Sequence, residues 1–182
     1  MKKLNNYLAI ATVMASFCIL MSACSKKDAA ATPTPAASSS TSNTFKITSY
    51  GEFTAPVGSG DYGGVITQNT GNLAFGFISK THPTGATNGG GNIDFPLGAT
   101  TGTYTVIPQP TNHVWAAGQC SVDMSCDVGS NSIKNKAQSG TISLTVTGSG
   151  ASKTYKIVFT DLSSLSDEST PKADKLSGNF SF

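Results

Sequence analysis

Thr141-Ile142-Ser143-Leu144-Thr145-Val146-Thr147 sets one apolar side chain against one hydroxyl side chain at every step. Successive side chains of an extended backbone point to opposite faces, so the stretch reads as a strand with one dry and one wet face. The pattern recurs on both sides. Tyr155, Ile157 and Phe159 repeat it downstream, as do Leu176, Phe180 and Phe182. Upstream, Leu73, Phe75 and Phe77 form another such face, and Tyr104 with Val106 a shorter one. Weaker strands are predicted at 45–54, 62–68, 91–96 and 112–119, with Gly, Pro and Asn clusters between them at 83–92 and 108–112. No segment longer than ten residues carries a helical period, although Ser164 and Asp167 have the spacing of a capping box and allow one helical turn within 161–169.

About nine short strands separated by turn signals predict an all-β fold, an antiparallel β-sandwich. The segments 83–92 and 127–138 read as loops longer than meander turns, which favours the sandwich over the alternative, a lipocalin-like closed barrel. Glycines at 64, 102, 140 and 178 recur every 38 residues and each stands before strand-like sequence, the spacing a duplicated strand pair would leave. The sequences between them share little.

The chain has 182 residues, with 12 Lys, no Arg and 10 acidic residues, for a formal charge of +2. That size fits one domain. Without Arg there is no planar fork for bidentate recognition of phosphate or carboxylate, and the charge is too small to steer a polyanion. Nucleic acid is therefore not an expected partner. The basicity is also local. Past residue 23 the chain carries 10 Lys against 10 acids, and past residue 44 it carries 8 against 9.

Lys2 and Lys3 precede an uncharged run from Tyr7 to Met21, which has the layout of a secretory signal and is too short to favour a spanning helix. The run ends Leu20-Met21-Ser22-Ala23-Cys24. Small residues before a cysteine resemble the lipobox of bacterial lipoproteins. That resemblance implies a signal peptide over 1–23 and lipidation, palmitate included, of Cys24. Cleavage as an ordinary signal peptide would instead leave Cys24 a free thiol. Two or more acyl chains hold a protein on a membrane without spanning it. Ser25 follows the cysteine, which in that family favours the outer membrane. Lys-led signal, lipobox, small-residue tether and a single β-rich domain together resemble the outer-membrane lipoproteins of Bacteroidota, a resemblance that implies no activity.

Residues 24–44 hold the cysteine and a Ser/Thr/Ala/Pro tether with no aromatic or bulky aliphatic side chain, a composition that cannot build a core. As a flexible coil it would reach roughly 25 Å. The β domain is assigned to 45–182, where 13 aromatic residues fall.

Of the four cysteines, Cys120 and Cys126 belong to the domain, and in an exported chain the pair predicts a disulfide, worth roughly 2–3 kcal/mol for so short a loop. No further ligands stand at zinc-site spacing, so no metal and no cofactor is expected. Gly58-Ser-Gly60-Asp-Tyr-Gly63 fits GxGxxG, but strand-like sequence rather than a helix follows, so it reads as a glycine-rich turn. Ser169-Thr-Pro-Lys172 fits SxxK without the accompanying SDN and KTG elements. Two histidines give little material for a hydrolytic triad.

A carboxylate hydrolase would require convergence among Glu52, Asp61, Asp94 and Asp161. Trp115, the single tryptophan, could stack on a sugar together with His113 or Tyr62 if exposed, and packs between sheets if buried. The expectation is a non-enzymatic, lipid-anchored binding or structural module at the outer membrane, its partner a glycan, a peptide or a protein. A barrel carrying a small apolar ligand and a carboxylate hydrolase are the alternatives.

Overall fold

Wherever apolar residues recur with period two, the chain extends. In the computed structural model, which describes residues 42–56, 65–68, 71–79 and 81–182, eleven strands follow one another. They are β1 (Ser42–Ile47), β2 (Gly51–Pro56), β3 (Val65–Gln68), β4 (Asn72–Ile78), β5 (Ala86–Pro96) and β6 (Gly102–Val106), then β7 (Gln119–Val128), β8 (Asn131–Ser139), β9 (Thr141–Thr147), β10 (Thr154–Ser166) and β11 (Ala173–Ser181). The fold is all-β. The strands form one sheet in the order β2-β1-β11-β10-β9-β6-β7-β5-β4-β3, and β8 bridges β10 and β7. Pairing is antiparallel except at β6 and β7, which run parallel over Thr105↔Gln119 and Val106↔Cys120.

Strands far apart in that order meet in the core. Phe45 of β1 stacks on Phe53 of β2 at 4.8 Å and lies 5.0 Å from Phe77 of β4. Phe77 in turn lies 4.4 Å from Phe180 of β11, and Phe75 of β4 meets Tyr155 of β10 edge-on at 5.1 Å. The sheet thus folds over on itself and supplies both apolar faces, as a sandwich requires, while remaining continuous in its hydrogen bonds. Thr54 and Thr81 exchange backbone hydrogen bonds of 3.1 and 3.3 Å and tie β2 to the segment after β4. Five phenylalanines (45, 53, 75, 95 and 180) are fully buried. Each contributes about 2–3 kcal/mol by burial, and ring pairs add about 0.5–1.5 kcal/mol.

Several local expectations are corrected. The helical turn in 161–169 is absent because β10 runs on to Ser166. An extra residue at the bulge between Phe159 and Leu162 keeps both on the core side, with Asp161 at φ 54 and its N–H donated to Ser177 Oγ at 3.0 Å. Segment 127–138 is not a long loop: Gly129 and Ser130 make a tight turn into β8, whose core face is the mild trio Ile133, Asn135 and Ala137. Segment 83–92 is mostly strand β5. Its Gly89 passes beneath the Phe45–Phe53 stack, where a Cβ would stand 2.6 Å from Phe53 Cδ1. Residues 112–118 form no strand, and β7 begins at Gln119.

The tether boundary also moves. β1 starts at Ser42, and the buried Asn43 side chain accepts from Ser181 N–H at 2.7 Å, which closes β1 onto β11. The three described glycines of the 38-residue spacing occupy different places in the fold. Gly102 opens β6, Gly140 joins β8 to β9 at φ 130, and Gly178 lies within β11 against Phe159 and Phe180. Gly64, the signal, Cys24, the tether through residue 41, and the glycine-rich turn with Asp61 and Tyr62 lie outside the described residues.

Candidate functional site

The wet face of β4, β5, β7 and β8 carries a regular grid of side chains, because register pairs residues across neighbouring strands. One row reads Asn88, Asp127, Ser132. The next reads Ile78, Gly90, Ser125, Lys134, and the third Gly76, Asn92, Asp123, Lys136. Strands lie about 4.8 Å apart and alternate residues about 7 Å along a strand, so the grid spans about 14 Å each way. Gly76 and Gly90 put no side chain on this face, and the surrounding residues rise as walls. The result is a trough of about 810 Å³, flanked beyond β8 by Asp167.

Hydrogen bonding sorts the walls into committed and uncommitted groups. Lys134 Nζ pairs with Asp123 Oδ2 at 3.0 Å. Asp167 Oδ1 accepts from Lys134 N–H at 3.0 Å, and Lys134 C=O accepts from Asp167 N–H at 2.9 Å. Asn88 Oδ1 accepts from Gly89 N–H at 2.9 Å, leaving its NH₂ free to donate. The Asn92 amide, Asp127 carboxylate and Ser132 hydroxyl make no bond to other described residues. With Asp123 balanced by Lys134, Asp127 and Asp167 against Lys136 leave this face with one net negative charge.

Below the third row the face closes over. Asp94, only 6% exposed, accepts from Asn72 Nδ2 at 2.7 Å and lies diagonally across from Asp123. Burial raises its pKa above the ordinary carboxylate value. The Asn72 bond opposes that shift, Asp123 reinforces it, and His113 and Lys134 oppose it weakly. The contribution of His113, together with its carbonyl 3.4 Å from a Cβ on Gly71, puts the 107–118 segment beside this end of the sheet.

Trp115 on that segment is 5% exposed, and its indole N–H has no partner among the described residues. It is therefore not an open stacking platform. The adjacent His113, at φ 52, is exposed with its ring centroid 6.2 Å from the indole. Of the weak binding trio, Trp115 is buried, His113 is exposed beside it, and Tyr62 lies outside the described residues.

The cysteine expectation is corrected. Cys120 and Cys126 are both free and buried. They sit six residues apart on the single strand β7, about 20 Å when extended, against the 4.4–6.8 Å a bridge spans. Burial pushes Cys120 up to about 12 and Cys126, with help from Asp127, up to about 11, so both act as small apolar core residues.

Of the acids named from sequence, the three described ones, Glu52, Asp94 and Asp161, do not gather. Glu52, Lys46 and Ser177 form a row across β2, β1 and β11, with Asp161 beyond on β10, about 14 Å from end to end, while Asp94 lies on β5. Lys172 of the SxxK match is held by Glu168 at 3.1 Å on an exposed turn. Among the described residues no three His, Cys, Asp or Glu side chains are placed to hold a metal ion.

A sequence signal for the trough exists in Cys120 to Asp127. Ser121, Asp123, Ser125 and Asp127 alternate with Cys120, Val122, Met124 and Cys126, a clear wet-and-dry strand once the cysteines are counted as apolar. No protein-family model, curated protein or solved structure matches the chain.

Proposed function

We propose that this chain is a non-enzymatic binding module held at the outer membrane through lipidated Cys24, with the β4-β5-β7-β8 trough as its binding face. The trough carries the reading: a concavity of about 810 Å³ with mixed polar and apolar lining is in the range of small-ligand sites, and part of its polar wall is uncommitted. The aromatic packing of the interior weighs against an apolar-ligand carrier. Asp94 engaged by Asn72 and Asp123 by Lys134 weigh against a hydrolase, which needs two carboxylates free to face one bond.

The anchor and the trough are separable. Cys24→Ala should move the protein from the membrane to the soluble fraction; persistence in membranes would sink the lipobox reading. Asn92→Ala with Asp127→Ala should leave membrane attachment intact and abolish ligand capture, whereas a purely structural spacer would be indifferent to the pair.

A further inference from the structure

We infer that the trough takes a hydroxyl-rich saccharide without acidic groups, an inference that rests on the binding-module reading above. Three observations favour that occupant. First, the uncommitted groups mix donors with acceptors: the Asn88 NH₂, the Asn92 amide, the Asp127 carboxylate and the Ser132 hydroxyl surround one concavity. A carboxylate and an amide on neighbouring strands can bond vicinal hydroxyls as acceptor and donor at once. Second, Gly76 puts no side chain on this face, so a flat ring can approach the sheet closely there.

Third, the remaining choices fit worse. β5 and β7, which form the middle of the trough, are paired on both sides, so a peptide cannot dock across the floor by adding a strand. Lys134 is paired with Asp123, and Asp127 with Asp167 outweighs Lys136 by one negative charge, which disfavours carboxylate, sulfate or phosphate groups. The ligand is accordingly neutral or amino-bearing.

The test is affinity electrophoresis of the full chain in detergent micelles, through gels containing dextran, chitosan or dextran sulfate. A parallel arm measures binding to poly-lysine. The expected result is retardation by dextran or chitosan and none by dextran sulfate. Asn92→Ala with Asp127→Asn should weaken retardation at least tenfold, and Lys156→Ala, on an exposed part of β10, should leave it unchanged. Unaltered thermal unfolding of the variants would keep loss of binding separate from loss of fold. Retardation by dextran sulfate alone, or retardation indifferent to the trough pair, overturns the inference. No retardation by any glycan, with poly-lysine binding lost in the trough variant, overturns the saccharide but keeps the binding face. Absence of both removes both.

Discussion

Gly89→Ala separates what the Gly-rich segment 88–91 looks like from what it does. As a loop, a Gly→Ala change at ordinary φ would stabilise by about 0.4–1 kcal/mol through the unfolded chain. In the fold, Gly89 lies on the core side of β5, where the new methyl would meet Phe53 Cδ1 at 2.6 Å, Phe53 Cε1 at 2.8 Å and Phe45 Cζ at 3.1 Å. Those two rings are fully buried and stacked 4.8 Å apart, so neither can swing into solvent.

Overpacking of this kind costs about 1–3 kcal/mol, and the entropic gain offsets only part, leaving a net loss of roughly 1–2 kcal/mol. Gly102→Ala is the control, since its nearest neighbour would be 3.8 Å away, and it should be neutral or slightly stabilising. Urea unfolding of the chain from Ser25 onward reads both. Phe53→Ala alone should cost about 3–5 kcal/mol. Combined with Gly89→Ala, the total should fall short of the sum by at least about 1 kcal/mol, because the vacated ring space accepts the methyl. A Gly89→Ala variant as stable as the parent would refute the close approach of β5 to the Phe45–Phe53 stack.

Asp94 has a folded pKa raised by burial, so the stability linked to it is complete below its ordinary value of 3.8 and is lost as pH rises through the raised folded value. Asp94→Asn keeps the acceptor for Asn72, and should stabilise the domain at pH 7 and flatten the pH profile in that window; an unchanged profile would contradict the burial. Trp115→Phe should cost under about 1.5 kcal/mol, since the indole N–H has no bond to lose, whereas Trp115→Ala should cost about 3–5 kcal/mol. Acrylamide should quench the native tryptophan emission weakly, and strong quenching would mean an exposed ring. Cys120 and Cys126 should resist alkylation at pH 8 until denaturant is added, then both react, and the intact mass should be indifferent to reductant. A two-hydrogen mass difference would restore the disulfide.

Alternation in 141–147 and 155–159 was legible because dry and wet positions there differ sharply in polarity. β8 was not, because Ile133, Asn135 and Ala137 make a buried face of one large, one polar and one small residue. β5 was hidden for another reason: the glycines that let it pass under two rings also look like a turn. β7 was hidden by chemistry, since two nearby cysteines after a signal-like N-terminus suggest a bridge before they suggest a core. The trough residues Asn88, Asn92, Asp127 and Ser132 lie in three strands whose register no single segment specifies, so their convergence has no local signature.

By itself, then, the sequence determined an all-β domain after a segment without bulky apolar side chains and a short apolar N-terminal run, because hydropathy and period act over a few consecutive residues. It also excluded Arg-based recognition, since composition is independent of fold. The tertiary structure alone decided that one folded-over sheet supplies both core faces, that Cys120 and Cys126 stay apart, that Trp115 is buried, and that a trough with polar walls forms on the wet face. Each depends on contacts between residues distant in the chain, and pairing register across strands, rather than the character of any one strand, fixes them.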